Sequence, residues 1–298
     1  MKILVTDGMD KSAIAELKAL GHTVDEQFYE EAELIKAIAN YECVVVRSAT
    51  KITRPVIEGG TNLKLVIRGG VGTDNIDKVA AKEKGVEVRN TPGASSISVA
   101  ELVIAMMFGV ARALPAATAS MKAGKWEKKV FSKRIEIEGK TLGIIGTGRI
   151  GAALAKKCMG LGFSKILGYD AYPEYSRADG VPMVSLDEVL AQSDYISLHI
   201  PATDKPVIGA AELAKMKDGV VIINCARGGV VDEDALLAAL NSGKVYGAGI
   251  DTWVGEPKPR QDLIDHPNVV CTPHVAAATK EAQGRVGAEV VEIIKSFK

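Results

Sequence analysis

The chain has 298 residues, enough for two domains that each carry a core. Acidic and basic residues number 37 each, which excludes a global attraction to nucleic acid or to an anionic membrane surface. Four scattered cysteines (Cys43, Cys158, Cys225 and Cys271) form no Cys-x-x-Cys pair, and no His-Glu-x-x-His or Cys/His cluster occurs, so reduced thiols, a cytoplasmic location and no metal are expected.

Met1 leads directly into a strand-like run, Lys2–Thr6, without the charged and apolar regions of a secretory signal. Further strands are predicted at Cys43–Val46, Lys64–Ile67 and Val86–Val88, with helices at Lys11–Leu20, Glu31–Ala39 and Asp77–Lys84. The longest apolar stretch, Ser98–Leu114, contains Glu101 and Arg112 and reads as a buried helix rather than a membrane span. A second series then begins. Its strands are Lys140–Gly146, Lys165–Asp170, Asp194–His199, Val220–Asn224, Val245–Ile250 and Val269–Cys271, and its helices include Ile150–Leu161. A last helix, Lys280–Lys295, is expected to return to the first domain. Strands alternating with helices predict an α/β protein of two doubly wound, parallel-sheet, Rossmann-like domains with a cleft between them. The expected division is 1–98 plus 278–298 for one domain and 99–277 for the other.

The second series opens on a phosphate-binding pattern. Strand Lys140–Gly146 runs into Gly146-Thr147-Gly148-Arg149-Ile150-Gly151 and then into a helix, and the next strand ends on Asp170. Gly146 suits the tight turn, Gly148 the close approach of backbone to a pyrophosphate, and Gly151 the packing of helix on strand. The helix N-terminus supplies N–H groups and a positive dipole end for the phosphates. Asp170 is placed to accept hydrogen bonds from an adenosine ribose. It would repel a 2′-phosphate, and neither Ala171 nor Tyr172 offers a cation to receive one, so NAD is preferred over NADP.

Three strand ends of this series carry reactive groups. Asn224–Gly229 contains Arg227, Gly249–Pro257 contains Asp251 and Glu256, and Cys271–His274 ends on His274. Singly, each has an ordinary structural explanation: a turn cap, a solvated acid, a structural histidine. Parallel order sends all three to the edge that faces the dinucleotide. Alcohol oxidation needs that set. A histidine accepts the hydroxyl proton, a carboxylate such as Glu256 steadies the ring and favours its charged form, and an arginine holds a substrate carboxylate and polarises the adjacent carbonyl. Asp251 is placed to accept a hydrogen bond from the nicotinamide carboxamide. In the first series, Gly69-Gly70-Val71-Gly72 follows a strand and offers successive N–H groups to an anion, or is simply a tight turn. Arg47 and Ser48 stand at another strand end, within reach of a phosphate. Lys128, Lys129, Lys133 and Arg134 add positive charge or form a solvated face.

Over nearly its whole length the chain resembles the D-2-hydroxyacid dehydrogenase family, and within it the phosphoglycerate-oxidising branch. The likeness rests on Val46–Thr53, Arg68–Asp77, Ala117–Lys128, Asn224–Gly229, Asp232–Leu236 and Thr272–Gln283. The resemblance implies that Arg227, Glu256 and His274 are catalytic. It adds Arg149, Ile150, Cys225, Ala226 and Ala277 to the NAD contacts, and makes Val71 and Gly72 holders of the substrate carboxylate. It also implies a homodimer built largely through the nucleotide domain. The expected reaction is NAD-dependent oxidation of 3-phospho-D-glycerate.

Departures bear on the substrate. Ser95 stands where that branch often has Asn, Val275–Ala278 where it usually has Leu-Gly-Ala-Ser, and Trp253 where Phe or Tyr is commoner. The chain stops soon after the last helix, so the regulatory C-terminal domains of many relatives are not expected. Hydroxypyruvate or glyoxylate reduction and D-lactate oxidation remain alternatives. So does a dinucleotide-sensing corepressor role, because a sensor can keep the Arg/Glu/His set.

Overall fold

The computed structural model describes residues 1–297, which form two compact units. The first comprises residues 1–95 and 277–297, the second Ser96–Ala276.

In the first unit, β1 (Lys2–Val5), α1 (Lys11–Ala19), β2 (Thr23–Glu26), α2 (Glu31–Ala37), β3 (Cys43–Val46), α3 (Arg54–Gly59), β4 (Leu65–Arg68), α4 (Lys78–Lys84) and β5 (Glu87–Asn90) alternate strand and helix. All strand pairs are parallel, in the order β2-β1-β3-β4-β5. Strand β2 has no counterpart among the predicted strands. Its Asp25 and Glu26 break the apolar pattern, which an edge strand paired only with β1 tolerates.

The second unit opens on α5 (Ser96–Arg112) and α6 (Leu114–Lys122). The long apolar run is therefore not one helix to residue 114. Ala113 adopts a left-handed conformation (φ 49°) just before Leu114-Pro115, and the two helices are bent by 65°. Among the described residues no single helix is long and apolar enough to cross a membrane. Helix α5 lies on the second sheet because β10 is notched beneath it. A Cβ at Gly247 would stand 2.7 Å from Val110, and one at Gly249 2.8 Å from Met106. That packing puts residues 96–98 with the second unit rather than the first, as the sequence division had them.

There follow β6 (Thr141–Ile145), α7 (Arg149–Cys158), β7 (Lys165–Tyr169), α8 (Leu186–Gln192), β8 (Tyr195–Leu198), α9 (Ala210–Lys215), β9 (Val220–Asn224), α10 (Glu233–Ser242), β10 (Val245–Ile250), α11 (Gln261–Ile264) and β11 (Val269–Cys271). This sheet is also wholly parallel, in the order β11-β10-β9-β8-β6-β7. The last helix, α12 (Lys280–Ser296), returns to the first unit, where Val286, Val290, Val291 and Ile294 join Ile3, Val5, Ile14 and Leu17 in one apolar cluster. Both sheets thus wind alike: the first strand is flanked by the second on one side and the third on the other. In each, the winding reverses between first and third strands, β1/β3 and β6/β8, and the crevice at that point is where such sheets take ligands.

Candidate active site

At Gly146 and Gly151 the glycine loop is as tight as the spacing predicts. Gly146 sits at φ +92°, and a Cβ there would lie 2.5 Å from the His199 carbonyl oxygen. A Cβ at Gly151 would lie 2.2 Å from the Gly146 carbonyl oxygen, so α7 packs against the loop only through a glycine. Gly148 differs. Its φ is ordinary (−67°) and a Cβ would meet nothing within 4 Å, so nothing inside the protein requires a glycine there. The requirement fits a ligand backing onto the peptide, and Gly148 caps α7 without any side-chain hydrogen bond, leaving the first-turn N–H groups of Arg149, Ile150 and Gly151 to serve it. Asp170 follows β7 beside this loop. Its carboxylate accepts the Thr147 N–H at 2.8 Å and the Tyr172 N–H at 3.0 Å, which fixes its orientation. These residues together suit a dinucleotide.

Beyond β9, β10 and β11 lie the candidate catalytic groups. Asn224, Ile250 and Cys271 are aligned partners across the three strands, so the loops that follow leave the sheet side by side. Cys225 and Ala226 are buried there. The Cys225 thiol contacts the Met106 sulfur at 3.6 Å, and burial raises its pKa well above the usual thiol range. Asn224 shapes the next turn by accepting from the Ala226 N–H at 3.0 Å and donating to the Arg227 carbonyl at 2.9 Å. Arg227 is half-buried, with Nη1 donating to the Ala226 carbonyl at 2.7 Å. Gly228 lets this turn press on the β10 loop, since a Cβ there would lie 2.1 Å from the Trp253 carbonyl oxygen.

Trp253 in turn orients the acid: its backbone N–H donates to Glu256 Oε1 at 2.8 Å, while Glu256 Oε2 lies 2.8 Å from His274 Nδ1. Histidine and glutamate are 44% and 37% exposed, so the pair is open to a small molecule. His274 has φ 54°, a left-handed conformation that histidine enters more readily than most residues. Asp251 holds it there. The Asp251 carbonyl accepts the His274 N–H at 2.8 Å, and its carboxylate accepts the N–H groups of Val275 and Ala276 at 2.8 and 2.9 Å and the Thr272 hydroxyl. Asp251 is 0% exposed, so its first task is to build the histidine loop, a role nothing in the sequence signalled. Ala277, assigned to the cofactor by resemblance, heads the segment that belongs to the first unit.

Two more residues escaped the sequence reading. His199 follows β8 at the winding reversal, its Nε2 2.9 Å from Ser197 Oγ; the ring is enclosed although the residue keeps some exposed surface. Burial lowers its pKa from 6.5 to about 3 and keeps it neutral. Its signal was position, a titratable ring directly after a strand. Arg68 ends β4, and its guanidinium fills the space where a Cβ of Gly70 would stand, beneath the glycine loop of the first unit. That loop is narrower as an anion nest than its sequence suggests. The N–H groups of Gly69 and Gly70 are engaged by the Val46 and Arg68 carbonyls at 2.8 and 2.9 Å, which leaves Val71 and Gly72 as the candidate donors. The Asn90 side chain steadies the turn through the Val71 carbonyl at 2.5 Å. Arg47 is half-buried and Ser48 exposed after β3 in the same unit.

Comparison with known proteins matches residues 104–276 to the family described as "D-isomer specific 2-hydroxyacid dehydrogenase, NAD binding domain". A hydroxypyruvate reductase of Thermotoga maritima is 48% identical over 304 residues, covering 100% of this chain and 97% of that protein. A D-3-phosphoglycerate dehydrogenase of Methanocaldococcus jannaschii is 46% identical over 300 residues, covering 99% of this chain and 57% of that protein. The chain therefore spans little more than half the length of that relative. A crystal structure of a glyoxylate reductase from Paecilomyes thermophila superposes with a TM-score of 0.89 at 31% identity, covering 99% of this chain and 94% of that one.

Proposed function

Because the chain belongs to the family of D-isomer-specific 2-hydroxyacid dehydrogenases, with the family's NAD-binding domain in its second unit, we propose that it oxidises 3-phospho-D-glycerate to 3-phosphohydroxypyruvate. The observation that carries the chemistry is the 2.8 Å His274–Glu256 pair, set beside the Arg227 turn at the ends of three aligned strands. With Nδ1 directed at Glu256, Nε2 is the ring atom that takes the hydroxyl proton, and the carboxylate stabilises the imidazolium so formed. Arg227 binds the substrate carboxylate and polarises the carbonyl in the reverse direction. NAD would be held by the glycine loop and Asp170 and would supply the hydride acceptor; with the hydroxyl proton taken by His274, C2 and its oxygen would each give up one hydrogen and become a carbonyl. Asp251, 0% exposed with both carboxylate oxygens bonded inside the histidine loop, serves by holding that loop rather than by meeting the nicotinamide carboxamide. Val71 and Gly72 present N–H groups to the substrate carboxylate, and Arg47 and Ser48 receive its phosphate.

The same reading includes a cytoplasmic homodimer. Helix α6 buries none of its residues, and beyond it Trp126 is 79% exposed, an apolar surface suited to a second copy. Lys128, Lys129, Lys133 and Arg134 follow on that segment and would add charge to the partner's substrate site.

A second reading, reduction of hydroxypyruvate or glyoxylate, is favoured by the relative matched over nearly its full length. A panel of 2-hydroxy acids with NAD and 2-oxo acids with NADH separates the two. The proposal expects the highest kcat/KM for phosphoglycerate and a much weaker response with NADP. A higher kcat/KM for hydroxypyruvate than for the phosphorylated pair would replace it with the second reading.

A further inference from the structure

In the first sheet the winding reverses between β1 and β3, and two loops meet there. Asp7 follows β1. Its Oδ2 accepts the backbone N–H groups of Arg47 and Thr50 at 2.7 and 3.1 Å, and its Oδ1 accepts the Thr50 hydroxyl at 2.5 Å. The carbonyls of the same two residues are taken from the other side: Asn75 Nδ2 donates to Arg47 O and to Thr50 O, both at 2.7 Å. Both partners are acceptors, so only the amide nitrogen can face them. A four-residue turn is thus gripped at its two ends, N–H groups on one carboxylate and carbonyls on one carboxamide. Thr50 is buried within the grip, Ser48 is exposed, and Arg47 is half-buried.

The grip also ties this turn to the glycine loop. Asn75 lies three residues beyond Gly72. Its own carbonyl accepts the Ile52 N–H at 2.8 Å, the Ile52 carbonyl accepts the Asp77 N–H at 2.9 Å, and Gly69 N–H bonds the Val46 carbonyl at 2.8 Å. Segments 46–52 and 69–77 are therefore cross-linked along their length.

We propose that Asp7 and Asn75 are positioning residues for substrate recognition, fixing where Arg47 and Ser48 point and locking that turn to the Val71-Gly72 donors as one body. This rests on the reading that Arg47, Ser48, Val71 and Gly72 hold the substrate. Loss of the clamp loosens the pocket and leaves the proton and hydride machinery of the second unit untouched. The signature is a split between KM and kcat.

The test compares Asn75→Ala, Asn75→Asp and Thr50→Val with Arg47→Ala, measuring KM and kcat for the acid and the NADH dissociation constant by fluorescence. Asn75→Asp sets an acceptor against two carbonyls. Thr50→Val is nearly isosteric and keeps a folded variant in hand. Both Asn75 variants are expected to raise KM about tenfold or more, with kcat and the NADH constant within about twofold. Thr50→Val should raise KM about threefold, and Asn75→Ala should add less than about twofold in an Arg47→Ala background. If Arg47→Ala raises KM but the Asn75 and Thr50 variants do not, the positioning role falls and the substrate reading stands. If Arg47→Ala leaves KM unchanged, the substrate reading of this turn falls and the positioning role with it. A parallel loss in kcat, KM and NADH binding would reduce Asn75 to a folding residue and overturn the proposal.

Discussion

His274 sits in a left-handed backbone conformation, which costs a non-glycine residue about 1 kcal/mol or more and is held here by three bonds to Asp251 within its own loop. The arrangement aims Nδ1 at Glu256 and leaves Nε2 for the substrate, so replacing the ring should remove chemistry rather than binding. His274→Ala is expected to lower kcat by roughly 10²–10⁴, with the NADH dissociation constant unchanged in a fluorescence titration. His199 supplies a pH test. Buried and neutral, it titrates near 3 when folded and near 6.5 when unfolded, so the folded state binds fewer protons between those values. Its stabilising contribution is present above about pH 6.5 and is lost as pH falls toward 3. Between pH 6.5 and 5 the wild type should lose about 2 kcal/mol of unfolding free energy more than His199→Gln does, measured by urea titration at both values. The convergence of Arg227, Glu256 and His274 was legible because all three lie in loops that leave neighbouring strand ends. The loop-building roles of Asp251 and Asn75 were not, because an acid or amide has the same spelling whether it faces a ligand or its own backbone.

At the level of one element, the first turn of α7 separates a glycine needed for folding from one needed for a ligand. Gly151→Ala drives a methyl group to 2.2 Å from the Gly146 carbonyl oxygen and should cost about 1–3 kcal/mol of stability. Gly148→Ala meets nothing, so stability should stay within about 0.5 kcal/mol while NADH binding weakens about tenfold or more. Thermal melts with and without NADH read both; equal destabilisation by the two substitutions would remove the ligand role of Gly148. This strand–turn–helix unit was the most legible part of the fold, because Gly146 and Gly151 answer steric demands of the fold itself. The break after α5 was less so. Pro115 marks it, but the apolar pattern of residues 98–114 runs through it uninterrupted, and the Ala113 conformation that turns the chain has no signature in composition.

For the whole molecule, strand and helix alternation disclosed two parallel sheets, while the position of the break between units depended on packing. Gly247 and Gly249 invite α5 onto the second sheet, and single-residue patterns do not report such notches. Thiol chemistry reads the integrity of both units. Cys43, Cys158 and Cys225 are buried with raised pKa values, whereas Cys271 is exposed. An aromatic disulfide reagent should therefore titrate one thiol in the native protein and four after denaturation; two or more fast thiols would mean a unit that opens readily. The insertion of one unit within the other also bears on synthesis. Residues 96–276, 181 in all (276 − 95), lie between the two parts of the first unit. The stretch from the end of α1 at Ala19 to the start of α12 at Lys280 is longer still; at translation rates of about 5–20 residues per second, β1 and α1 wait roughly 13–50 s after emerging before α12 arrives to cover them. The amino-terminal lobe is thus the last to mature, and its uncovered apolar face is where a nascent-chain chaperone would bind.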